Sequence, residues 1–309
     1  MPHSPLGKTL VIANPAAHSG AGEKGARFAE EFLRSFSSAT HGFEVVRTAG
    51  PEDAVGIAAG AAGYDTVVAL GGDGVIHEVV NGLAEIGRAQ RPQLGIVPMG
   101  SGNDFARTLG MKRNDAEGAL AQLVRGQVRG CELGLVNGVR FMQTLSFGLD
   151  AAIALDTTDK RAAGTKQEGE ELFVRSALRI LAGAKEGFPV RASFDGEKPL
   201  DLATIVFAVQ VGPTYGGGFR ICPNADPTDG ELDVCYNVSL PPTPVLLGLL
   251  GLARFGKHAA SGVVRTRRAS HIELSFEEEP PCHDDGEKLC ARDFVVDVEP
   301  DALDVVFPA

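Results

Sequence analysis

The fold class follows from one stretch, Tyr64-Asp65-Thr66-Val67-Val68-Ala69-Leu70-Gly71-Gly72-Asp73-Gly74-Val75-Ile76-His77-Glu78-Val79-Val80-Asn81-Gly82-Leu83. Residues 64–70 are a short apolar, β-branched run, 71–74 a glycine turn, and 75–83 a helix whose apolar positions recur at helical spacing. Two adjacent glycines and a third one residue on let the backbone approach a ligand closely. The helix behind them aims its free N–H groups and positive dipole end at the same spot, and a phosphate suits that geometry. Asp73 adds a carboxylate where anions would gather. Either Mg²⁺ stands between the like charges or Asp73 is itself a catalytic group.

The same grammar extends on both sides. Residues 8–13 form an apolar run that Pro15 ends, since proline cannot continue a central strand; a glycine-containing loop follows, then a helix over 23–36 with Phe28, Phe32, Leu33 and Phe36 on one stripe. Strand 43–48, helix 51–62 and strand 65–70 come next, then strand 94–97, a loop at 98–102, and helices at 103–109 and 116–125. Strands alternating with helices predict a doubly wound, mostly parallel α/β sheet. Its ligands belong beyond the carboxyl ends of the strands, where the loops at 14–22, 71–74 and 98–102 converge.

After about residue 130 the pattern turns antiparallel. Asn137-Gly138 between 132–136 and 139–145 is a strong hairpin signal, and Asp195-Gly196 within 194–198 is a second. Alternating runs follow at 203–211, 232–238, 263–267 and 272–276, interrupted by a polar, mobile segment at 157–169 and helices at 172–184 and 245–255. The last of these predicts a buried helix beside a solvated, charged strand, the alternative being an apolar and basic surface for a bilayer. The expected domains are 1–130, a nucleotide-binding α/β unit on which the tail 295–309 packs back, and 131–294, a β-rich substrate unit.

Composition narrows the function. At 309 residues the chain exceeds the roughly 250–300 at which single cores stop growing, so two domains are expected. Net charge is −11, which disfavours nucleic acid and anionic surfaces unless a local patch provides the contact. Five cysteines without C-x-x-C spacing suit a reducing cytoplasm, and residues 1–8 lack the apolar run of a secretory signal.

No P-loop, no G-x-G-x-x-G after a strand and no zinc motif is present; Cys282, His283 and Cys290 are too few and too irregular to make a metal centre. What stands out are glycine and carboxylate clusters: Gly71-Gly72-Asp73-Gly74, Ser101-Gly102-Asn103-Asp104 and Asp284-Asp285-Gly286-Glu287. Glycine turns that hold phosphates, carboxylates that hold Mg²⁺ and a carboxylate that accepts a hydroxyl proton together make phosphoryl-transfer chemistry.

Residues 71–83 resemble the signature of the diacylglycerol kinase catalytic domain, which bacterial soluble lipid kinases share with sphingosine and ceramide kinases. Asn14-Pro15 with Ser19-Gly20 is similar to that family's first nucleotide loop, and residues 98–107 to its second signature. Gly216-Gly217-Gly218 with Asp229-Gly230-Glu231-Leu232 is similar to its substrate-domain motif, and Asp285-Gly286-Glu287 to its late acidic motif. The matches run in family order across nearly the whole chain.

The resemblance implies a phosphofructokinase- or NAD-kinase-like first domain, a β-rich second one, and ATP and Mg²⁺ as cofactors. It implies transfer of the γ-phosphoryl group to a diacylglycerol-like or sphingoid lipid, as in phospholipid metabolism. The alternatives are a kinase acting on a soluble acceptor such as NAD, or a non-catalytic nucleotide or lipid sensor. The expected setting is cytoplasmic, with the lipid met at the inner face of the membrane, no nucleic-acid partner, and a homodimer left open.

Carried over residue by residue, ATP would be held by Asn14, Ser19, Gly20, Thr48, Gly71, Gly72, Asp73, Gly74, Glu78, Gly100, Ser101 and Asn103. Asp73, Asp104 and Glu132 would form a Mg²⁺ network, and Asp229, with Asp226 and Glu231, a structural Mg²⁺ site. Asp285 would be the base, with Glu287 beside it and Asp73 assisting. Three positions depart from the family: Val75 stands where threonine is common, Ser101 also stands for threonine but keeps the hydroxyl, and Glu132 stands where aspartate is usual. Several of these residues also have plain structural uses: Asp104 at a helix start, Asn14 as a loop cap, Asp285 in an Asp-Gly turn with Asp284 as its competitor.

Overall fold

The computed structural model describes residues 6–36, 42–162, 169–183 and 187–309. Two units emerge, one of Met1–Cys131 with Asp301–Ala309 and the other of Glu132–Pro300.

In the first unit, β1 (Thr9–Ala13), α1 (Ala17–Phe36), β2 (Phe43–Arg47), α2 (Asp53–Ala59), β3 (Thr66–Gly71), α3 (Asp73–Ala84), β4 (Gln93–Pro98), α4 (Asp104–Leu109) and α5 (Ala116–Leu123) follow one another. The strands lie in the order β2-β1-β3-β4 and all pair in parallel. Every residue of β1 and β3 is buried, consecutive positions included, so both faces of the sheet are covered. This explains why these strands read as unbroken apolar runs rather than alternating ones. Near the chain end Val305 pairs in parallel with Leu94.

The second unit is an antiparallel sandwich. β5 (Gln127–Val136) turns through Asn137 and Gly138, at φ 47° and 89°, into β6 (Val139–Phe141). These left-handed values are those of a type I′ hairpin turn. Next come β7 (Thr144–Gly148), α6 (Leu149–Ala162), α7 (Gly169–Gly183), β8 (Phe188–Phe194), β9 (Leu200–Thr204), β10 (Val206–Gln210), β11 (Leu232–Asn237) and α8 (Thr243–Ala253). β12 (Val264–Ala269), β13 (His271–Phe276), β14 (Cys282–Asp284), β15 (Glu287–Lys288) and β16 (Asp293–Phe307) complete the chain.

One sheet has the order β12-β11-β10-β7-β14-β15; in the other, β13 lies between β8 and residues 293–297 of β16. Between them Phe147 and Phe207 of the first sheet meet Phe194, Phe276 and Phe294 of the second, with ring centroids 4.8–6.1 Å apart. Stacked and edge-on aromatic pairs of this kind add to the area they bury.

Four expectations change in the structure. Segment 139–145 is two strands on two sheets, because the N–H groups of Met142 and Gln143 turn away to the carboxylate of Asp285. Segment 203–211 is likewise two strands: Asn237 Oδ1 accepts from Ile205 N at 2.7 Å and Val206 N at 3.1 Å, holding the crossover. Alternation in sequence shows a strand but not a change of sheet. The start of the polar segment 157–169 belongs to α6 and its end to α7, while 163–168 and 184 lie outside the described residues. Finally, α8 is not a buried helix, since only Leu246 and Ala253 of its residues are buried.

Candidate functional site

Two glycine loops touch backbone to backbone at the carboxyl ends of β3 and β4. A Cβ on Gly100 would lie 2.5 Å from Gly72 Cα, and Met99 N–H donates to Gly71 O at 2.7 Å. No side chain fits between them. The third loop joins the same place, because a Cβ on Gly71 would lie 3.3 Å from Asn14 Cβ. Asn14 donates its N–H to Leu70 O, and its Oδ1 accepts from Ala16 N at 2.9 Å, which closes an Asx turn. His18, Ser19 and Gly20 then take left-handed backbone (φ 47°, 55° and 90°) before the regular part of α1, leaving Ser19 and Gly20 exposed.

Asp73 begins α3 instead of sitting within the turn. Its Oδ2 accepts from Asn103 N at 2.7 Å and its Oδ1 from Asp104 N at 3.0 Å, so one carboxylate ties loop 71–74 to the start of α4. Helix-capping bonds of this type are each worth about 1 kcal/mol. Asp73 and Asp104 flank Gly102, where a Cβ would lie 2.8 Å from Asp73 Oδ2 and 3.4 Å from Asp104 Oδ2. Arg107 Nε stands 3.8 Å from Asp104. Mg²⁺ at phosphates typically takes one or two carboxylates plus water and phosphate oxygens. Two carboxylates set beside open glycine backbone fit that requirement.

Asn103 is buried in left-handed backbone (φ 53°), its Nδ2 donating to Gly100 O at 2.7 Å, while its Oδ1 has no hydrogen-bond partner among the described residues. Glu78 Oε2 accepts from Ala54 N at 3.2 Å in the first turn of α2, and Thr48, also buried, donates its N–H to Ala13 O. These contacts are structural. Val75, the departure from the family, is buried with Cγ1 2.3 Å from where a Cβ on Gly71 would be, so it packs directly on the glycine turn.

In the second unit, Asp285 and Gly286 (φ 47° and 103°) turn β14 into β15. Asp285 Oδ2 accepts from Met142 N at 2.8 Å; its Oδ1 accepts from Gln143 N at 3.0 Å and Thr144 N at 2.9 Å, and its own N–H donates to Thr144 O. Glu287 is exposed, whereas Asp284 is buried on β14.

His283 was missed as a contributor. Its Nδ1 accepts from Gly286 N at 3.1 Å, which leaves the ring proton on Nε2, and its ring lies 5.6 Å from that of Tyr215. Burial pulls its pKa down to about 4, so it is neutral. The signal was present in the His-x-x-Gly spacing, which puts a side-chain acceptor three residues before a turn N–H.

Glu132 meets the loop at 226–233. Its Oε2 accepts from Gly230 N at 2.5 Å, its Oε1 has no partner among the described residues, and burial lifts its carboxyl to about 8. Burial also raises Asp233 to about 6. Asp226 accepts from Thr228 N and Oγ1, and Asp229 from Glu231 N. Asp229 and Glu231 both pair with Arg268, the latter at 2.9 Å, so the positive charge these carboxylates meet is a guanidinium. Among the described residues no group of three or more His, Cys, Asp or Glu side chains has the arrangement of a metal site.

Also within the second unit is an apolar cavity of about 90 Å³, lined by Ile153, Phe219, Leu246 and Leu250 among others. Asp150 and His258 are the titratable groups on its wall besides Cys235 and Tyr215. Asp150 Oδ2 accepts from Ser146 Oγ at 2.6 Å, Oδ1 has no hydrogen-bond partner among the described residues, and burial raises the carboxyl to about 7. A lone Asp inside the apolar run 149–154 was the sequence clue.

Comparison with known proteins agrees with this architecture. Residues 8–136 match the family profile "Diacylglycerol kinase catalytic domain", and 143–307 match "YegS C-terminal NAD kinase beta sandwich-like domain". A diacylglycerol kinase of Mycobacterium tuberculosis (strain H37Rv) is 32% identical over 98% of this chain and 96% of its own length. One from Bacillus subtilis (strain 168) is 28% identical over 72% of this chain and 71% of its own. In fold, the chain is similar to a crystal structure of a diacylglycerol kinase from Bacillus anthracis str. Sterne, with a TM-score of 0.73 at 23% identity, covering 98% of this chain and 97% of that one. With both halves matched in order and a relative aligned over almost its full length, the chain belongs to the diacylglycerol kinase catalytic domain family of lipid kinases.

Proposed function

We propose that the protein is an ATP-dependent lipid kinase that transfers the γ-phosphoryl group of ATP to a hydroxyl of a diacylglycerol-like or sphingoid lipid. The observation that carries it is the pair of touching glycine loops at 71–74 and 100–102, held together by Asp73 beside Asp104. Backbone that no side chain can enter, at the start of α3 and at the carboxyl ends of parallel strands, suits a polyphosphate.

Asp73 and Asp104 would hold Mg²⁺, which when bound offsets phosphate charge. Gly71, Gly72, Gly74, Gly100 and Ser101 line the phosphate side, with Asn14, Ser19 and Gly20 from the first loop. Asp285 is the proposed base. Three backbone N–H donors fix the direction of its carboxylate, and the turn that carries it is braced by His283. The acceptor oxygen forms a bond to the γ-phosphorus as the bond to the β-phosphate oxygen breaks, and the hydroxyl proton passes to Asp285. In a loose phosphoryl-transfer transition state, positioning matters more than strong basicity. The apolar cavity behind α8, at about 90 Å³, has room for a short part of one hydrocarbon chain, which favours a lipid over a soluble acceptor.

The test is Mg²⁺-dependent ADP release measured across diacylglycerol, phosphatidylglycerol, sphingosine, ceramide and NAD. Release with one of the lipids and none with NAD is the expected result. Release with NAD alone, or ATP binding with no turnover on any acceptor, would overturn the proposal.

A further inference from the structure

Between β10 and β11, the glycines at 216–218 close a narrow loop. All three take left-handed backbone, at φ 66°, 84° and 114°. Tyr215 N–H donates to Phe219 O and Phe219 N–H to Tyr215 O, both at 2.9 Å, so the loop is pinched shut at its base. Residues with a Cβ would be strained in that backbone, which accounts for glycine at each position. The pinch sets Tyr215 opposite Phe219, and both line the apolar cavity of the second unit.

The loop is also tied to the turn that carries Asp285, by two routes. Gln143 donates its backbone N–H to Asp285 Oδ1 at 3.0 Å and its Nε2 to Thr214 O at 2.5 Å, so one residue touches both the carboxylate and the loop. On the second route, the Tyr215 ring lies 5.6 Å from that of His283, within the range of aromatic contact. His283 in turn accepts from Gly286 N, the residue after Asp285. Strand register agrees with this contact. His283 pairs with Ser146, so both side chains are on the sheet face where Ser146 meets Asp150 of α6, and Tyr215 donates its hydroxyl to Asp150 O at 2.9 Å. Consecutive residues, Thr214 and Tyr215, thus reach the carboxylate and the backbone of one turn.

A hydrocarbon chain in the cavity gives the Tyr215 ring contact atoms on its cavity side, and a ring packed on both sides holds one position. We infer that Tyr215 is a positioning residue through which hydrocarbon in the cavity sets the Asp285 turn, by way of His283 and Gln143. This rests on the phosphotransfer proposal and goes beyond it. Acyl occupancy raises kcat and not affinity alone, because interaction with a remote part of the substrate goes into orientation at the reacting centre. Misplacing a reacting group by about 1 Å costs on the order of a hundred-fold in rate, so a small gain in the position of the turn is enough.

Steady-state kinetics with dioctanoylglycerol and diacetylglycerol test this. The native kcat is expected to be at least about ten-fold higher with the long-chain acceptor. Tyr215→Leu removes the ring from His283 and should bring the two kcat values within about two-fold of each other, with kcat for dioctanoylglycerol falling more than its KM rises. Tyr215→Phe keeps the ring and should keep most of the difference. Amide hydrogen exchange on the native chain without nucleotide decides the matter even if Tyr215→Leu fails to fold. Dioctanoylglycerol should slow exchange across 283–287 at least about five-fold, and diacetylglycerol should leave it unchanged. The inference is overturned if native kcat is equal for the two acceptors, if folded Tyr215→Leu keeps the native ratio, or if dioctanoylglycerol does not slow exchange at 283–287. Each of these leaves lipid phosphorylation standing. Absence of turnover with every lipid acceptor overturns the phosphotransfer proposal and this inference with it.

Discussion

Asp104 donates its backbone N–H to Oδ1 of Asp73 at 3.0 Å, joining the start of one helix to the first residue of another. The carboxylate that looked out of place in a phosphate turn thus has a structural task, and Asp104 is its neighbour in charge as well as in backbone. Asp73→Ala removes both acceptors, so a stability loss of about 1–2 kcal/mol is expected in urea unfolding. Turnover should fall by at least about a hundred-fold, because the glycine loops lose their tie and the cation a carboxylate. Asp73→Asn should recover much of the stability and little of the activity. A variant that loses stability alone would show the residue to be only a cap.

Val75 and Gly71 form a second testable pair. With Val75 Cγ1 2.3 Å from the place of a Gly71 Cβ, Gly71→Ala should cost about 1–3 kcal/mol from overpacking. Gly71→Ala/Val75→Ala should regain part of that, and a double-mutant cycle on thermal melts measures the coupling. Strict additivity would mean that the two side chains do not compete for the same space.

The α/β half was legible from sequence because its signals are local: a glycine turn after a buried strand and a helix at 3.6-residue spacing each depend on neighbours in the chain. Strands 9–13, 66–71 and 93–98 differ from the expected 8–13, 65–70 and 94–97 by at most one residue at either end. The sandwich half was legible as strands but not as sheets. Residues 142–144 leave one sheet for another because a carboxylate more than 140 residues away takes their N–H groups. No periodicity reports a partner at that distance. The candidate site divides in the same way. The glycine and aspartate positions could be named from their spacing, whereas His283, Asp150 and Asn237 act through burial and long-range hydrogen bonds.

Asp150 sets a pH dependence. Its folded pKa of about 7 lies above the unfolded value near 3.8, so the folded state holds a proton that the unfolded state has released between those limits. Its contribution is fully present below about pH 4 and is lost as pH rises to 7, at about 1.4 kcal/mol for each pH unit. Asp150→Asn, which cannot ionise, should therefore gain stability relative to the native protein as pH rises from 4 to 8, by a few kcal/mol in all. Parallel urea titrations at pH 4.5 and 8 measure this difference, and an equal offset at both would contradict the burial of an ionisable carboxyl.

The cavity inside α8 can be filled. Leu250→Trp places a larger ring in the apolar space and should raise KM for a long-chain lipid acceptor about ten-fold, while a short-chain acceptor is little affected. Equal effects on both would place the hydrocarbon elsewhere.

The most direct measurement follows label from γ-³²P-ATP into lipid extracted from mixed micelles, for the native protein and for Asp285→Asn, with nucleotide binding checked on each. The native protein should label a hydroxyl-bearing lipid only when Mg²⁺ is added. Asp285→Asn keeps the acceptor for the N–H groups of Gln143 and Thr144, gives up the one for Met142 N–H, and should bind ATP within about two-fold, yet label lipid at least about a thousand-fold more slowly. Near-native labelling by Asp285→Asn would contradict the assigned base, and the absence of labelled lipid with the native protein across all acceptors would contradict lipid phosphorylation itself.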